Sequence, residues 1–153
     1  MTTPPENVPV EVLIVAVAET AGSALYGMFD VLLAAGNIWQ TLVRAESAQA
    51  PFRVRIVADT TETFTCGNGI PVAPDCAVDD GPEADIVILP ELWLGPDDDL
   101  RGRYPELMDW LRRRYQQGST LYSACSGAVM LATCRAGGGV NVTAVDSSIP
   151  TLS

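Results

Sequence analysis

Buried apolar runs that alternate with helical segments constrain the fold of this chain most strongly. Residues 12–17, VLIVAV, are continuously apolar and rich in Val, which is typical of a strand buried on both faces of a parallel sheet. A helix is predicted over residues 23–35, because apolar side chains recur there at helical spacing and Gly36 can end it. Further strands are predicted at residues 52–58, 85–89 and 120–124.

The remaining segments complete an α/β pattern. Pro105 suits the first position of a second helix that runs to about residue 117, and a third helix is predicted to begin just after Cys125. Residues 63–72 are predicted to form a short hairpin around a Gly-Asn-Gly turn. Strands that alternate with helices predict a doubly wound, mainly parallel α/β sheet.

The length and charge of the chain limit the class of protein it can be. Its 153 residues suit one domain, and its apolar fraction of 48% is enough to bury a core. The formal net charge is −10, whereas nucleic-acid-binding modules are usually basic, so we expect this segment to make no direct contact with nucleic acid. Three parts are predicted: a disordered N-terminus at residues 1–9, a folded domain at residues 10–134 and an irregular tail at residues 135–153.

Targeting signals and cysteine usage indicate the compartment. The N-terminus lacks the basic start and apolar run of a signal peptide, and no apolar run approaches the roughly 18 residues of a membrane span. We therefore expect a cytoplasmic protein without a membrane partner. The four cysteines form no C-x-x-C pair and the chain has no histidine, so we expect free thiols, no metal site and no cofactor.

The segment of residues 121–132, LYSACSGAVMLA, is the most informative for chemistry. An apolar strand is followed by a sharp turn at Cys125 and then by a helix, which is the arrangement of a nucleophile elbow. Gly127 allows the new helix to pack closely on the sheet, and the helix N-terminus favours a thiolate. The alternative is a buried cysteine packed beneath the helix, since free Cys is among the most buried residue types.

Five segments, taken in their order and spacing, carry a family resemblance. They are VLIVAV, SALYGMFDVLLAAG, VAPDCAVDD, ADIVILPELW and the elbow YSACSGAVMLA. Together they resemble the DJ-1/PfpI superfamily, which has the class I glutamine-amidotransferase-like fold, and within it the N-terminal domain of AraC-type transcription regulators. The resemblance covers roughly residues 10–132 and implies a flavodoxin-like, doubly wound sheet that is incomplete.

The resemblance implies a site at the predicted sheet edge. Cys125 matches the elbow cysteine of the family and is the candidate nucleophile. The backbone around Glu91 and Leu92 matches the loop where the family places a small ligand or an oxyanion. The other residues predicted to line this ligand site are Trp93, Ser126 and Gly127.

The chain departs from the family around this cysteine. Ala24 occupies the position from which members often place a carboxylate near the sulfur, and Glu19 is a candidate substitute as a catalytic residue. The alternative for Glu19 is a solvated loop carboxylate. Ser126 follows Cys125 and the chain has no histidine, so a Cys-His hydrolase mechanism within this chain is excluded and the thiol would depend on the helix dipole.

Three functions are carried forward. The leading hypothesis is a non-catalytic domain that senses a small molecule, as the resemblance to AraC-type regulators implies. The second is a cysteine-dependent hydrolase or hydratase of small nitrogen compounds, and the third is redox sensing through oxidation of Cys125 to a sulfenic acid.

The segment after residue 132 does not continue the resemblance, which leads to the hypothesis of a truncated or frame-shifted member. Uncovered apolar sheet and helix surface would then favour a homodimer or aggregation. The coding DNA tests this hypothesis, because a family-like continuation in another frame is expected after codon 132.

Overall fold

The computed structural model describes residues 8–36, 38–43 and 50–136. Most of the predicted N-terminal segment and nearly all of the predicted tail lie outside the described residues. The elements, in chain order, are β1 Val10–Val15, α1 Gly22–Ala34, α2 Ile38–Val43, β2 Phe52–Ala58, β3 Phe64–Cys66, β4 Ile70–Val72, β5 Cys76–Ala77, β6 Ile86–Leu89, α3 Pro105–Gln116, β7 Thr120–Ser123 and α4 Gly127–Ala136.

The main sheet of the described residues has five strands in the order β5-β2-β1-β6-β7. All four of its pairings are parallel, which confirms the predicted doubly wound, flavodoxin-like α/β class. The strands β3 and β4 form a separate antiparallel hairpin, as the Gly-Asn-Gly turn predicts. The carboxyl ends of β1, β6 and β7 therefore lie side by side at one edge of the sheet.

The two faces of β1 build two separate hydrophobic clusters, because successive side chains of a strand point to opposite faces. Val12, Ile14 and Ala16 pack with Leu25 of α1. The intervening residues of β1 pack against α3 and α4 on the opposite face, where Trp110 is fully buried. Burial on both faces explains why β1 is apolar without alternation from Val12 onward.

The predicted helices and strands are confirmed to within a few residues at their ends, but a short strand and a short α-helix were among the elements missed. The strand β5 has two residues, and the helix α2 has six. Within residues 8–36, 38–43 and 50–136, none of the helices combines the length and the apolar character needed to cross a bilayer.

Candidate functional site

The predicted elbow is present between β7 and α4. Cys125 lies in the left-handed region with φ of 49°, which is uncommon for a residue other than glycine and marks a locally strained turn. The turn is fixed by backbone hydrogen bonds, since Ala124 N–H donates to the Leu89 carbonyl at 2.9 Å and Gly127 N–H donates to the Ala124 carbonyl at 2.9 Å. The Cys125 side chain is exposed, so the alternative of a cysteine buried beneath the helix is wrong.

Gly127 lets α4 approach the end of β6 more closely than any other residue would. A Cβ atom at this position would lie 2.3 Å from the Leu89 carbonyl oxygen and 2.6 Å from the Pro90 carbonyl oxygen. Both obstacles are backbone atoms, which cannot rotate away. The glycine therefore sets the height of α4, and with it the position of Cys125, above the sheet edge.

Ser126 ties the elbow to the loop that follows β6. Its Oγ accepts a hydrogen bond from Leu92 N–H at 2.8 Å and donates one to the Leu92 carbonyl at 2.6 Å. Leu92 is only 4% exposed, so both backbone groups would lack partners without this hydroxyl. Ser126 and Leu92 are predicted to line the ligand site, which stays a prediction, and in the structure the Ser126 hydroxyl bonds to both backbone groups of Leu92.

The loop after β6 is also joined to the loop after β1. Thr20 and Leu92 form an isolated antiparallel bridge, Ala21 N–H donates to the Glu91 carbonyl at 2.8 Å, and Trp93 N–H donates to the Glu19 carbonyl at 2.7 Å. Thr20 is fully buried and its Oγ1 accepts a hydrogen bond from Val17 N–H. These contacts fix the direction in which the Glu91 side chain leaves the backbone.

The Glu91 side chain reaches the elbow cysteine. Its Oε1 lies 3.8 Å from Cys125 Sγ, within reach of a hydrogen bond from the thiol. Sequence reasoning assigned a role to the Glu91 backbone but did not predict that its carboxylate approaches the sulfur. The position of Glu91 just past a buried strand, next to the elbow strand in the sheet, is the signal that could have indicated this pairing.

Glu19, the other candidate carboxylate, is engaged elsewhere. Tyr104 O–H donates to its Oε2 at 2.6 Å, and Arg103 forms an ion pair with its Oε1. Its side chain is 12% exposed, so the alternative of a solvated loop carboxylate is also wrong. Burial and the adjacent Glu19 carboxylate raise the pKa of Tyr104 far above its usual range, which keeps the phenol protonated as a donor. In the described contacts Glu19 acts as a structural partner of Arg103 and Tyr104.

Trp93 is an exposed ring in the loop after β6, two residues past Glu91. Half of its surface is accessible, and a Cβ atom at Gly67 would lie 3.5 Å from the indole Cδ2. Gly67 N–H donates to the Thr20 carbonyl at 3.0 Å. The turn between β3 and β4 and the Trp93 ring thus form one wall beside the loops after β1 and β6.

The four thiols differ in their surroundings. Cys66, Cys76 and Cys134 are buried, and burial raises the pKa of each of these thiols. Cys125 is the exposed one. The described residues contain no group of three or more His, Cys, Asp or Glu side chains placed to hold a metal ion.

Two open clefts of about 250 and 260 Å³ lie on the described part of the chain, and neither is lined by Cys125. The first lies between α3 and α4, and the second lies beyond the ends of β1 and β2. The elbow thiol itself is exposed, and the side chain that approaches it is Glu91.

Comparison with known proteins adds the fold family. No protein-family model matches the chain, and no curated protein matches it in sequence. Among solved structures, it is similar to Drosophila melanogaster DJ-1beta, with a TM-score of 0.63 and 18% identity over 83% of this chain and 61% of that chain.

Two regulators are similar in structure as well. A candidate transcriptional regulator protein from Vibrio parahaemolyticus has a TM-score of 0.62 and 17% identity over 83% of this chain and 62% of that chain. An AraC family transcriptional regulator from Pseudomonas putida has a TM-score of 0.57 and 19% identity over 81% of this chain and 69% of that chain. The chain spans about six tenths of the length of the Vibrio and Drosophila proteins. The order of parallel strands, the elbow and these similarities together establish that this chain has the DJ-1/PfpI fold.

Proposed function

We propose that this chain is a small-molecule-sensing, non-catalytic DJ-1/PfpI-like domain of the kind found in AraC-type transcription regulators. The observation that carries the proposal is an exposed elbow cysteine whose neighbour is a carboxylate, in a chain without any histidine. The structural similarity to an AraC family regulator supports the same class. The proposal includes a cytoplasmic location, a homodimer, and no direct contact of this segment with nucleic acid.

The chemistry around Cys125 supports binding over catalysis. Acyl transfer by a cysteine needs a thiolate and a group that protonates the leaving atom, which a neighbouring imidazolium usually provides. Here the neighbour of the sulfur is the Glu91 carboxylate, with Oε1 at 3.8 Å, and not an imidazolium. The Leu92 N–H is bonded to Ser126, so it is not free to stabilise an oxyanion. The same arrangement leaves the Trp93 ring, the Glu91 carboxylate and the thiol as a surface for ligand contact.

A thermal-shift screen against amino acids, amides, amines and carboxylates tests the sensing proposal. We expect one chemical class to raise the melting temperature in a concentration-dependent way, and the shift to persist in Cys125→Ser. Trp93→Ala is expected to weaken the shift, whereas Tyr122→Ala, an exposed aromatic on β7, serves as the matched control. If the wild-type protein converts a bound compound and Cys125→Ala does not, the non-catalytic assignment is contradicted. That result would favour the hydrolase or hydratase alternative.

Redox sensing is the second candidate, and the exposure of Cys125 favours it. In this step the thiolate attacks one oxygen of a peroxide, the O–O bond breaks, the sulfur becomes a sulfenic acid and the peroxide is reduced to water. Peroxide treatment followed by mass spectrometry is expected to modify Cys125 before the three buried cysteines. Equal rates at all four cysteines would exclude selective sensing at the elbow.

A further inference from the structure

Both ends of the loop that precedes α3 are attached to a single residue, Glu19. At the near end, Trp93 N–H donates a hydrogen bond to the Glu19 carbonyl at 2.7 Å. At the far end, the Glu19 carboxylate accepts a hydrogen bond from the Tyr104 hydroxyl at 2.6 Å and forms an ion pair with Arg103. Residues 93–104, which we call the strap, therefore leave the body of the domain and return to the same point, as an Ω-loop does.

The strap places little of its surface in the core. All of its residues are described, and Leu100, which is 2% exposed, is the only one among them that is buried. Leu94 and Tyr104 are half-buried against the same cluster beneath α3 and α4. Another bond joins the strap to itself, since Gly95 N–H donates to the Asp98 carboxylate at 2.6 Å. A segment with few buried apolar contacts opens locally at a lower free energy than the core does.

The far end of the strap is held in a strained conformation. Tyr104 lies in the left-handed region with φ of 54°, which is uncommon for a residue other than glycine. Such a conformation costs free energy and persists only where the surrounding contacts impose it. These contacts include the bond of the Tyr104 hydroxyl to Glu19 and the Arg103 guanidinium, whose carbon lies 5.8 Å from the centre of the ring. The strain favours release of the far end, and the Glu19 carboxylate opposes it.

The near end of the strap continues directly from the loop that approaches the elbow. Trp93 follows Leu92, whose backbone N–H and carbonyl are both bonded to the Ser126 hydroxyl. One residue earlier, Glu91 places its carboxylate oxygen 3.8 Å from the Cys125 sulfur. A bond lost at the near end of the strap would therefore release the backbone next to the proposed ligand surface.

We propose that the strap opens as one unit while the rest of the domain stays folded, and that the Glu19 side chain is the latch that keeps it closed. Loss of the two side-chain bonds at the far end would then also break the backbone bond between Trp93 and Glu19 at the near end. The regulatory role of the strap rests on the proposed function, because its opening loosens the loop on which a small molecule docks. A ligand that binds one of the two states better shifts the strap toward that state. Glu19 is a positioning residue that acts on the elbow through the strap.

Amide hydrogen exchange of the ¹⁵N-labelled chain, followed by NMR, tests the proposal without any ligand. Glu19→Gln weakens the bonds to Arg103 and Tyr104 by removing the charge, but it keeps the backbone carbonyl that accepts from Trp93 N–H. We expect the Trp93 amide to exchange at least about tenfold faster in this variant. Glu11→Gln makes the same change at a glutamate paired with arginines of β2, and it is expected to stay within about twofold of wild type. Unchanged exchange of Trp93 in Glu19→Gln would overturn the proposal, because the two ends of the strap would then open independently.

Urea below the unfolding midpoint separates local opening of the strap from global unfolding. Opening the strap exposes little surface, so the exchange of the Trp93 amide is expected to depend only weakly on urea, whereas amides of β1 that exchange by global unfolding accelerate steeply. The Arg103 amide, which donates to the Leu100 carbonyl within the strap at 3.1 Å, is expected to follow Trp93 in each variant. Equal protection and equal urea dependence of Trp93 and the β1 amides would show that the strap opens only with the whole domain, which would refute the proposal.

A second variant keeps the test decisive if Glu19→Gln does not fold. Tyr104→Phe removes only the hydroxyl that donates to Glu19, and it is expected to speed the exchange of the Trp93 amide about tenfold. Its matched control, Tyr26→Phe, removes a hydroxyl that donates to the Pro71 carbonyl at 2.8 Å, and it is expected to leave that exchange within about twofold of wild type. Unchanged exchange in a folded Tyr104→Phe protein, or equal acceleration in both variants, would contradict the latch. No ligand enters these measurements, so their failure leaves the sensing proposal to the thermal-shift screen.

Discussion

Replacing Gly127 with alanine should be among the most destabilising small changes available in this chain. The added Cβ would lie 2.3 Å from the Leu89 carbonyl oxygen, 2.6 Å from the Pro90 carbonyl oxygen and 3.0 Å from the Leu89 carbonyl carbon. Atoms at ordinary contact lie about 3.5 Å apart, so α4 would have to move away from β6 by about 1 Å. None of the three obstacles is a side chain that can change rotamer.

The expected loss is large because α4 carries core residues. Met130, Leu131 and Cys134 are at most 4% exposed and pack in the cluster beneath α3 and α4. Overpacking a core costs about 1–3 kcal/mol when side chains can adjust, and the rigid backbone here places the cost at or above the upper end. Alanine would return about 0.5–1 kcal/mol through its better helix propensity. A net loss of about 2–3 kcal/mol of the free energy of unfolding is therefore expected.

Urea denaturation followed by circular dichroism measures this loss, with Gly27→Ala as the matched control. Gly27 lies within α1, and a Cβ atom there would meet nothing within 4 Å, so the control should gain about 0.5–1 kcal/mol. Opposite shifts of the two urea midpoints are the expected result. A Gly127→Ala protein as stable as wild type would refute the argument that this close approach positions the elbow.

Three further predictions concern groups that the sequence alone left unresolved. Ser126→Ala should lower the free energy of unfolding by about 1–3 kcal/mol, because both backbone groups of Leu92 lose their partner. Its control, Ser123→Ala at an exposed position of β7, should change stability little. Equal urea midpoints for the two variants would contradict this. Because burial and the Glu106 and Asp79 carboxylates raise the folded-state pKa of Asp59, its contribution to stability is fully present below its unfolded pKa and is lost as the pH rises through the folded value. Asp59→Asn should therefore stabilise the protein at pH 7 and flatten the decline of its melting temperature above about pH 4, and a lower melting temperature at pH 7 would argue against the raised pKa. Iodoacetamide should alkylate Cys125 in the native protein and the buried thiols only in urea, and mass spectrometry showing simultaneous labelling would disprove the difference in exposure.

The strands and the elbow were predictable because their signals are local. A strand covered by helices on both faces is apolar along its buried part, so β1 is visible as an unbroken apolar run from Val12 onward. The elbow likewise requires only contiguous residues: a strand, a turn at Cys125, and a glycine where α4 meets β6. Local patterns of this kind need no knowledge of the distant chain.

The missed features depend on long-range contacts. The strand β5 has two residues and is defined by the pairing of Cys76 with Val57, which no period in the sequence reveals. Likewise Glu91 and Cys125 are separated by 34 positions, and only the adjacency of β6 and β7 brings them together. Tyr104 and Glu19 are 85 positions apart, so the partner that occupies this carboxylate could not be read from its neighbours.

The contacts around the elbow indicate a surface that is already organised before any ligand arrives. Gly127 sets the height of α4, the Ser126 hydroxyl holds both backbone groups of Leu92, and the Thr20–Leu92 bridge fixes the loop that carries Glu91. The Ser126 bond occupies the Leu92 N–H, which a hydrolase with its oxyanion hole in this loop would leave free. A binding surface gains from such rigidity, because less conformational freedom is lost when a ligand docks. The hydrogen bonds of Ser126 therefore fit the proposed recognition role, which the thermal-shift screen tests.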